Sequence, residues 1–81
     1  MDKKEYLSGN VERITFHNQE NGYAVLKVKI SRYKNLITVI GTIPNISVGE
    51  DIKVYGVWFN NTEHGLQFKA EFIKSIPPNY S

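Results

Sequence analysis

Cysteine is absent from this 81-residue chain. The absence excludes a disulfide framework and a metal site built on thiolates, so neither can support the small core of so short a domain. It is also typical of proteins in a reducing compartment. Long apolar runs are absent too: the charged start leads into no signal-peptide core, and nothing approaches the roughly 20 apolar residues of a membrane span. We therefore expect a soluble, cytoplasmic domain with no membrane partner.

Residues suited to catalysis or metal binding are scarce. The two histidines, His17 and His64, lie far apart in the sequence, and neither has further ligands at a metal-binding spacing. No serine has the sequence context of a nucleophile elbow. No glycine directly precedes a lysine, which excludes a phosphate-binding loop of the P-loop type. We predict a non-enzymatic domain with no catalytic residue, no metal site and no cofactor of its own.

Acidic residues are missing between Glu20 and Glu50, although the chain as a whole has a net charge of only +2. That interval carries +4, and the rest of the chain carries −2. Its four basic residues are Lys27, Lys29, Arg32 and Lys34. Such a local concentration of positive charge fits a nucleic-acid partner, and it also fits a solvated hairpin with a few lysines.

Apolar stretches alternate with polar turn clusters along the whole chain. Asn21-Gly22 is a strong hairpin signal, because both residues tolerate the positive φ of a type I′ turn. After it, apolar side chains recur at every second position from Ala24 to Ile30, which is the pattern of a half-buried strand. Residues 44–50 are too few for a helix and hold at most one helical turn. Five strands are predicted, at residues 7–16, 23–30, 36–43, 51–59 and 66–76.

Five strands with a longer link between the third and fourth predict an all-β fold. The arrangement that fits is a five-stranded antiparallel Greek-key barrel of the oligonucleotide/oligosaccharide-binding (OB) type. An SH3-like barrel and a small open sheet are the alternatives, since strand count alone does not separate them. Gly9 and Gly56 lie inside strands, where glycine marks a bulge or a sharp bend. The apolar alternation also slips along the first strand, which indicates a bulge there.

The aromatic residues divide between the predicted core and the predicted surface. We assign Phe16, Phe68 and Phe72 to the core from their alternation. Trp58 falls in phase with the inward positions of the fourth strand, which favours packing over exposure. Tyr33 lies in a loop beside three cations, so it is the best candidate for an exposed ring that stacks on a base.

An OB barrel binds single-stranded nucleic acid by stacking bases on aromatic rings along a basic groove. The usual surface is the outer face of the second and third strands, with the loops that join strands one to two and four to five. In this chain the corresponding segments predict one nucleic-acid-binding site. Its candidate residues are Lys27, Lys29, Arg32, Tyr33, Lys34, Asn60, Asn61 and His64.

Several short motifs are found in one order along nearly the whole chain. They are residues 9–16 (Gly-Asn-Val-Glu-Arg-Ile-Thr-Phe), Glu20-Asn21-Gly22-Tyr23, and the segments 38–41, 48–50, 56–58 and 67–69. Together they resemble the opening of bacterial RecD-like DNA helicases, the long stand-alone type related to the exodeoxyribonuclease V alpha chain. The resemblance implies a superfamily-one motor of DNA repair and recombination that unwinds duplex DNA 5′-to-3′ with ATP and magnesium. The basic segment, from Lys27 to Lys34, is not part of the matching pattern, so no binding residue is transferred from the family.

None of the family's ATPase motifs occurs in this chain, so the resemblance implies an N-terminal accessory barrel of a longer protein. We expect a disordered N-terminus at residues 1–6 and the barrel at residues 7–76. Pro77-Pro78 ends the last strand, because proline cannot donate to the ladder. Residues 77–81 are expected to link the barrel to the rest of the parent helicase.

Two roles are open for such a barrel. In the first it contacts single-stranded DNA and holds it near the motor. In the second it is a docking module for another domain or an unknown protein partner and does not contact DNA. The second role is motivated by an aliphatic set that falls on the face opposite the predicted core, namely Val25, Ile40, Val57 and Ile73.

Overall fold

The computed structural model describes residues 3–77, which form five strands and no helix. The strands are β1 (Glu5–His17), β2 (Tyr23–Lys29), β3 (Ile37–Thr42), β4 (Asp51–Asn61) and β5 (Gly65–Ile76). They close into a barrel in the order β1-β2-β3-β5-β4, and β4 returns to β1. Four neighbouring pairs are antiparallel, while β3 and β5 are parallel. The closed Greek-key order confirms the OB-type barrel over the open sheet and the SH3-like barrel.

The barrel begins earlier in the chain than its sequence pattern predicts. Glu5 and Tyr6 already pair with Gly56 and Tyr55 of β4, so the disordered segment expected at residues 1–6 does not extend to them. The last strand ends at Ile76, directly before the prolines, as predicted. Residues 1–2 and 78–81 lie outside the described residues, and with them most of the predicted linker.

The β1–β2 connection is a hairpin, as Asn21-Gly22 predicts, but its turn is wider than a type I′ turn. Within this turn only Gly22 has a positive φ, of 79°, whereas a type I′ turn needs two such residues. The Gly22 amide donates to the Asn18 carbonyl at 2.7 Å, and the Asn18 amide donates to the Tyr23 carbonyl at 2.9 Å. The Asn18 side chain accepts from the Glu20 amide at 2.8 Å, so the loop is stabilised by its own polar groups.

The link between β3 and β4 contains no helical turn, although residues 44–50 leave room for one. It lies against β1: the Val11 amide donates to the Glu50 carbonyl at 2.9 Å, and the Gly49 amide donates to the Val11 carbonyl at 2.7 Å. Ile46 from this link is partly buried and packs against the core. The link therefore covers this end of the barrel through one partly buried side chain, that of Ile46, while Val48 is exposed.

Two bulges in β1 reverse the direction of its side chains. The register with β2 shifts after Val11 and again after Ile14, so that Glu12 and Thr15 have no partner. The predicted irregularity in this strand is confirmed, but the second bulge has a consequence that the sequence pattern missed. Phe16 points outward and is 49% exposed, so its assignment to the core is wrong.

A third bulge, in β5, also reverses the direction of the side chains that follow it. Tyr55 pairs with Phe72 and Gly56 pairs with Ala70, which leaves Glu71 as the extra residue. Phe72 therefore faces outward, 43% exposed, and its assignment to the core is also wrong. Ile73 takes the inward position at 8% exposure, so it is a core residue and not part of an outer aliphatic face.

The core fills the barrel with side chains from all five strands. Phe68 is fully buried at its centre, as predicted, and Trp58 is partly buried against it with ring centroids 5.2 Å apart. The buried apolar residues are Leu7, Val11, Ala24, Leu26, Val28, Ile30, Val39, Ile43, Ile52, Val54, Phe68 and Ile73. A filled interior leaves no room for a ligand inside a barrel of this size, so any binding surface lies on the outside.

Candidate nucleic-acid interface

An open groove of about 450 Å³ crosses the outer face of β2 and β3 and is bordered by the β4–β5 loop. We call it the β2–β3 groove. Its lining residues are Thr15, Tyr23, Val25, Lys27, Thr38, Ile40, Asn61, His64 and Gln67. This is the surface on which the sequence places the binding site, and three of the eight predicted residues meet there: Lys27, Asn61 and His64.

Strand pairing explains why these side chains meet. Along β2 the inward residues alternate with outward ones, so Val25 and Lys27 share the outer face. In the register with β3, Val25 lies opposite Ile40 and Lys27 lies opposite Thr38. The parallel pairing of Thr38 with Gln67 adds β5 to the same surface. The floor of the groove is therefore aliphatic at its centre and polar beside it.

Lys27 supplies the positive charge of the groove. It is partly buried, and its Nζ donates a hydrogen bond of 2.6 Å to Thr38 Oγ1. An ammonium group has three donors, so this bond orients the side chain and leaves donors for a ligand. Among residues 3–77 no carboxylate lies within ion-pair distance of Lys27. Its charge is available to an anion such as a phosphate.

An exposed aromatic pair lies at one end of the groove. Phe16 is 49% exposed, Tyr23 is 42% exposed, and their ring centroids are 6.0 Å apart. The second β1 bulge turns Phe16 outward, and the β2 alternation places Tyr23 on the same face as Lys27. Sequence reasoning missed both residues as binding candidates. The signal for Tyr23 was present, since it shares the period-two phase of Lys27, whereas nothing in the sequence located the bulge before Phe16.

Asn61, the last residue of β4, and His64, in the β4–β5 loop, border the groove. The Oδ1 atom of Asn61 accepts hydrogen bonds from the amides of Glu63 and His64, at 2.7 and 2.9 Å, which fixes the loop. The Asn61 amide nitrogen remains as a donor beside the groove. His64 is exposed, with its Nε2 atom 3.8 Å from Glu63 Oε1. Asn60, the remaining prediction from this segment, is exposed on β4 but does not line the groove.

Arg32 and Tyr33 lie elsewhere, in a cluster at the end of the barrel with Glu5 and Trp58. The Tyr33 ring meets the Trp58 ring edge-on, with centroids 5.7 Å apart, and the Arg32 guanidinium lies 5.3 Å from the centre of the Tyr33 ring. Arg32 Nη2 is 3.4 Å from Glu5 Oε1, and Trp58 Nε1 donates to Glu5 Oε2 at 3.0 Å. Tyr33 is partly buried against the core, so it is not the exposed stacking ring that its loop position predicts.

The other two predicted cations are also outside the β2–β3 groove. Lys29 is opposite Asn10 and lines a separate, shallow depression that includes Asp51. Lys34 is exposed in the β2–β3 loop. The four cations of the basic segment thus lie in four places in the fold, and only Lys27 reaches the groove.

The β1–β2 loop is held by its own hydrogen bonds, and none of its residues lines the β2–β3 groove. His17 Nε2 donates to the Ile43 carbonyl at 2.8 Å, which ties the end of β1 to the β3–β4 link. Of the four residues predicted to form an aliphatic docking face, Ile73 is in the core, so its assignment to that face is wrong. Val25 and Ile40 line the groove, and Val57 is half-buried on the outer side of β4. No group of three potential metal ligands lies together within residues 3–77.

Comparison with known proteins agrees with this geometry. One chain in the crystal structure of the S. pombe Stn1–Ten1 complex superposes with a TM-score of 0.69 at 16% sequence identity. The match covers 96% of this chain and 60% of that one, and at this identity it shows a shared fold alone. Residues 4–78 match the family model described as the OB-fold domain of the ATP-dependent DNA helicase YrrC. Since that match spans nearly the whole chain and confirms the expected helicase OB domain, the chain belongs to the family of YrrC-type helicase OB-fold domains.

Proposed function

We propose that this domain binds single-stranded DNA in the β2–β3 groove as an accessory part of a DNA helicase. The observation that carries the proposal is that one groove has the exposed Phe16–Tyr23 pair at its end and, four positions along β2 from Tyr23, the ammonium group of Lys27, which has no carboxylate partner among residues 3–77. Aromatic rings and an accessible cation on the outer β2–β3 face are the two elements with which OB barrels bind single strands. Membership in a helicase family supports DNA as the nucleic acid.

The arrangement suggests how a strand is held. Bases stack on Tyr23 and Phe16, a phosphate binds Lys27 Nζ, and the Asn61 amide and His64 ring contact the strand from the loop side. Stacking accepts any base, because every base has an aromatic face. Val25 and Ile40 provide an apolar floor without donors or acceptors to read a base edge. We therefore expect binding with little sequence preference.

The catalytic part of the function belongs to the parent protein. The resemblance to RecD-like helicases supports a motor, in segments beyond this barrel, that uses ATP and magnesium to translocate 5′-to-3′ in the cytoplasm. The barrel itself contributes no catalytic group to this proposal. Its role is to hold or guide the single strand near the motor.

Titration of a fluorescent oligothymidylate with the 81-residue chain, followed by anisotropy, tests the proposal. Binding is expected at low salt and should weaken steeply as salt rises, because phosphate contacts release counterions. Lys27→Gln should weaken binding and reduce the slope of log K against log salt by about 0.7, the value for one phosphate contact on a single strand. Lys34→Gln removes the same charge from an exposed loop and serves as the matched control.

Absence of binding at low salt by the folded chain would overturn DNA binding by this domain and leave docking as its role. Equal losses in Lys27→Gln and Lys34→Gln would retain general electrostatic attraction but reject the groove as the site. Circular dichroism of each variant shows whether the barrel is folded in these measurements.

A further inference from the structure

A row of three aromatic side chains crosses the outer surface of β1, β4 and β5. Tyr6 pairs with Tyr55, and Tyr55 pairs with Phe72, so the three residues are neighbours on one face. Their ring centroids are 4.6 Å apart for Tyr6–Tyr55 and 5.6 Å apart for Tyr55–Phe72. Tyr6 is 56% exposed and Phe72 is 43% exposed. We call these residues the aromatic row, and it shares no residue with the β2–β3 groove.

Lysines lie directly beside the aromatic row. Lys53 and Lys74 are register partners two positions along β4 and β5 from Tyr55 and Phe72, so all four side chains share the outer face. Lys53 Nζ is 5.4 Å from the centre of the Tyr6 ring. Both lysines are exposed. Like charges directly opposite each other destabilise a strand pair, and an anion bound between them would remove that repulsion.

A third lysine lies beyond the row on its other side. Lys69 Nζ is 4.9 Å from the centre of the Phe59 ring, so an exposed ring and a cation are again adjacent. The positive charges therefore flank the aromatic row along the strand direction. Exposed rings and cations therefore alternate across this surface at more than one position.

The carboxylates near this surface are already engaged. Glu71 forms an ion pair with Lys4, and the hydrogen bond and charge of Glu71 raise the pKa of Lys4 above its usual value. Asp51 accepts a hydrogen bond of 3.0 Å from Asn10 Nδ2. Lys53 and Lys74 have no carboxylate within ion-pair distance among the described residues. The hydrogen bond from the neutral Asn10 amide leaves the negative charge of Asp51 in place, but the three positive charges of Lys53, Lys69 and Lys74 exceed it, so this face carries net positive charge.

We propose that the aromatic row, with Lys53 and Lys74, is a second site for single-stranded nucleic acid on the side of the barrel away from the β2–β3 groove. Tyr6 and Phe72 stack on bases, and the opposed lysines hold a phosphate between them. Exposed rings select a ligand with aromatic faces, and the unpaired lysines select one with negative charge. A single-stranded polynucleotide has both properties. The site stands on its own residues and does not require the groove to bind.

Amide shifts of the ¹⁵N-labelled 81-residue chain during oligothymidylate titration locate the contact. The expected result is that amides of Tyr6, Lys53 and Phe72 shift, and that they still shift in a Tyr23→Ala/Lys27→Gln chain with its groove disabled. In that background, Lys53→Gln/Lys74→Gln should weaken the remaining affinity severalfold and reduce its salt dependence. Tyr6→Ala/Phe72→Ala should weaken it by about fivefold or more, the loss of at least one stacked base.

The lysine double variant alters only exposed side chains, so it keeps the test valid if the aromatic double variant fails to fold. Lys34→Gln in the same background is the charge-matched control and should leave the affinity unchanged. Shifts confined to groove amides, with unchanged affinity in the lysine double variant, would overturn the second site while the groove proposal stands. Shifts confined to the aromatic row would support the second site and reject the groove. An aromatic row that is silent toward the oligonucleotide would instead be a surface for a protein segment.

Discussion

Gly56 faces the backbone of Lys69 so closely that a β-carbon at position 56 would lie 2.0 Å from the Lys69 carbonyl oxygen. This contact occurs beside the β5 bulge, where Gly56 pairs with Ala70 and Glu71 is the extra residue. Because the obstructing atom belongs to the backbone, the strands must separate to admit a methyl group. The glycine is thus required for β4 and β5 to pair across the bulge.

The first prediction is that Gly56→Ala destabilises the barrel strongly. Overpacking typically costs about 1–3 kcal/mol, and a clash with backbone places this variant at or above the upper end of that range. Urea denaturation followed by far-ultraviolet circular dichroism measures the loss. Ser8→Ala, at an exposed position on β1, should change the free energy of unfolding by less than about 0.5 kcal/mol. A Gly56→Ala chain as stable as the Ser8→Ala chain would contradict the close approach of β4 and β5.

The second prediction concerns the direction of side chains after the β5 bulge. Ile73 is 8% exposed and Phe72 is 43% exposed, the opposite of what uninterrupted alternation gives. Ile73→Ala should therefore cost about 2–5 kcal/mol as a core truncation. Phe72→Ala should cost less, about 0.5–1.5 kcal/mol from its contacts with the other rings of the aromatic row. Denaturation midpoints compare the two variants directly, and a larger loss for Phe72→Ala would mean that the strand continues without the bulge.

These bulges mark the limit of what the sequence could predict about the fold. Period-two alternation, the Asn21-Gly22 signal and the terminal prolines were enough for the number of strands and their positions along the chain. The longer link between the third and fourth strands favoured the OB barrel but did not exclude the SH3-like barrel or the open sheet. An extra residue in one strand reverses the direction of every side chain after it. No amino-acid type identifies such an extra residue in the sequence. Glu71 and Thr15 are ordinary strand residues in the sequence, so the outward positions of Phe16 and Phe72 were invisible.

The candidate site was predictable to a similar extent. The alternation of β2 placed Lys27 on the outer face, and the barrel type brought the β4–β5 loop with Asn61 and His64 beside it. A run of neighbouring cations does not share one surface, however, because Arg32 and Tyr33 follow the chain over the end of the barrel to Glu5 and Trp58. Because these cations are close together in the sequence, the predicted basic patch was larger than the one that the structure forms.

The third prediction tests the hydrogen bond between Glu5 and Trp58. Trp58 Nε1 donates to Glu5 Oε2, and Arg32 approaches the other carboxylate oxygen, so Glu5 joins β1 to β4 and to the β2–β3 loop. Glu5→Ala removes the acceptor of the indole hydrogen bond and should cost about 1–3 kcal/mol of unfolding free energy. Glu12→Ala removes the same charge from an exposed bulge residue and should cost less than about 0.5 kcal/mol.

Trp58 is the single tryptophan of the chain, so its fluorescence reports on this contact directly. Glu5→Ala should shift the emission of the folded protein, whereas Glu12→Ala should leave it unchanged. Identical emission and stability in the two variants would show that Glu5 contributes no more than a surface charge.

The fourth prediction separates the ring of Tyr23 from its hydroxyl in DNA binding. If the ring stacks on a base, Tyr23→Phe should keep the affinity for oligothymidylate, because the aromatic face is unchanged. Tyr23→Ala should lower the affinity by about 1–3 kcal/mol, or about 5- to 150-fold, the range for loss of one stacked base. Fluorescence anisotropy at a fixed, low salt concentration measures both variants. Leu36→Ala removes an exposed apolar side chain that lies outside both the β2–β3 groove and the aromatic row, and it is the control. A loss in Tyr23→Phe as large as that in Tyr23→Ala would assign the contact to the hydroxyl group, and no loss in either variant would remove Tyr23 from the interface.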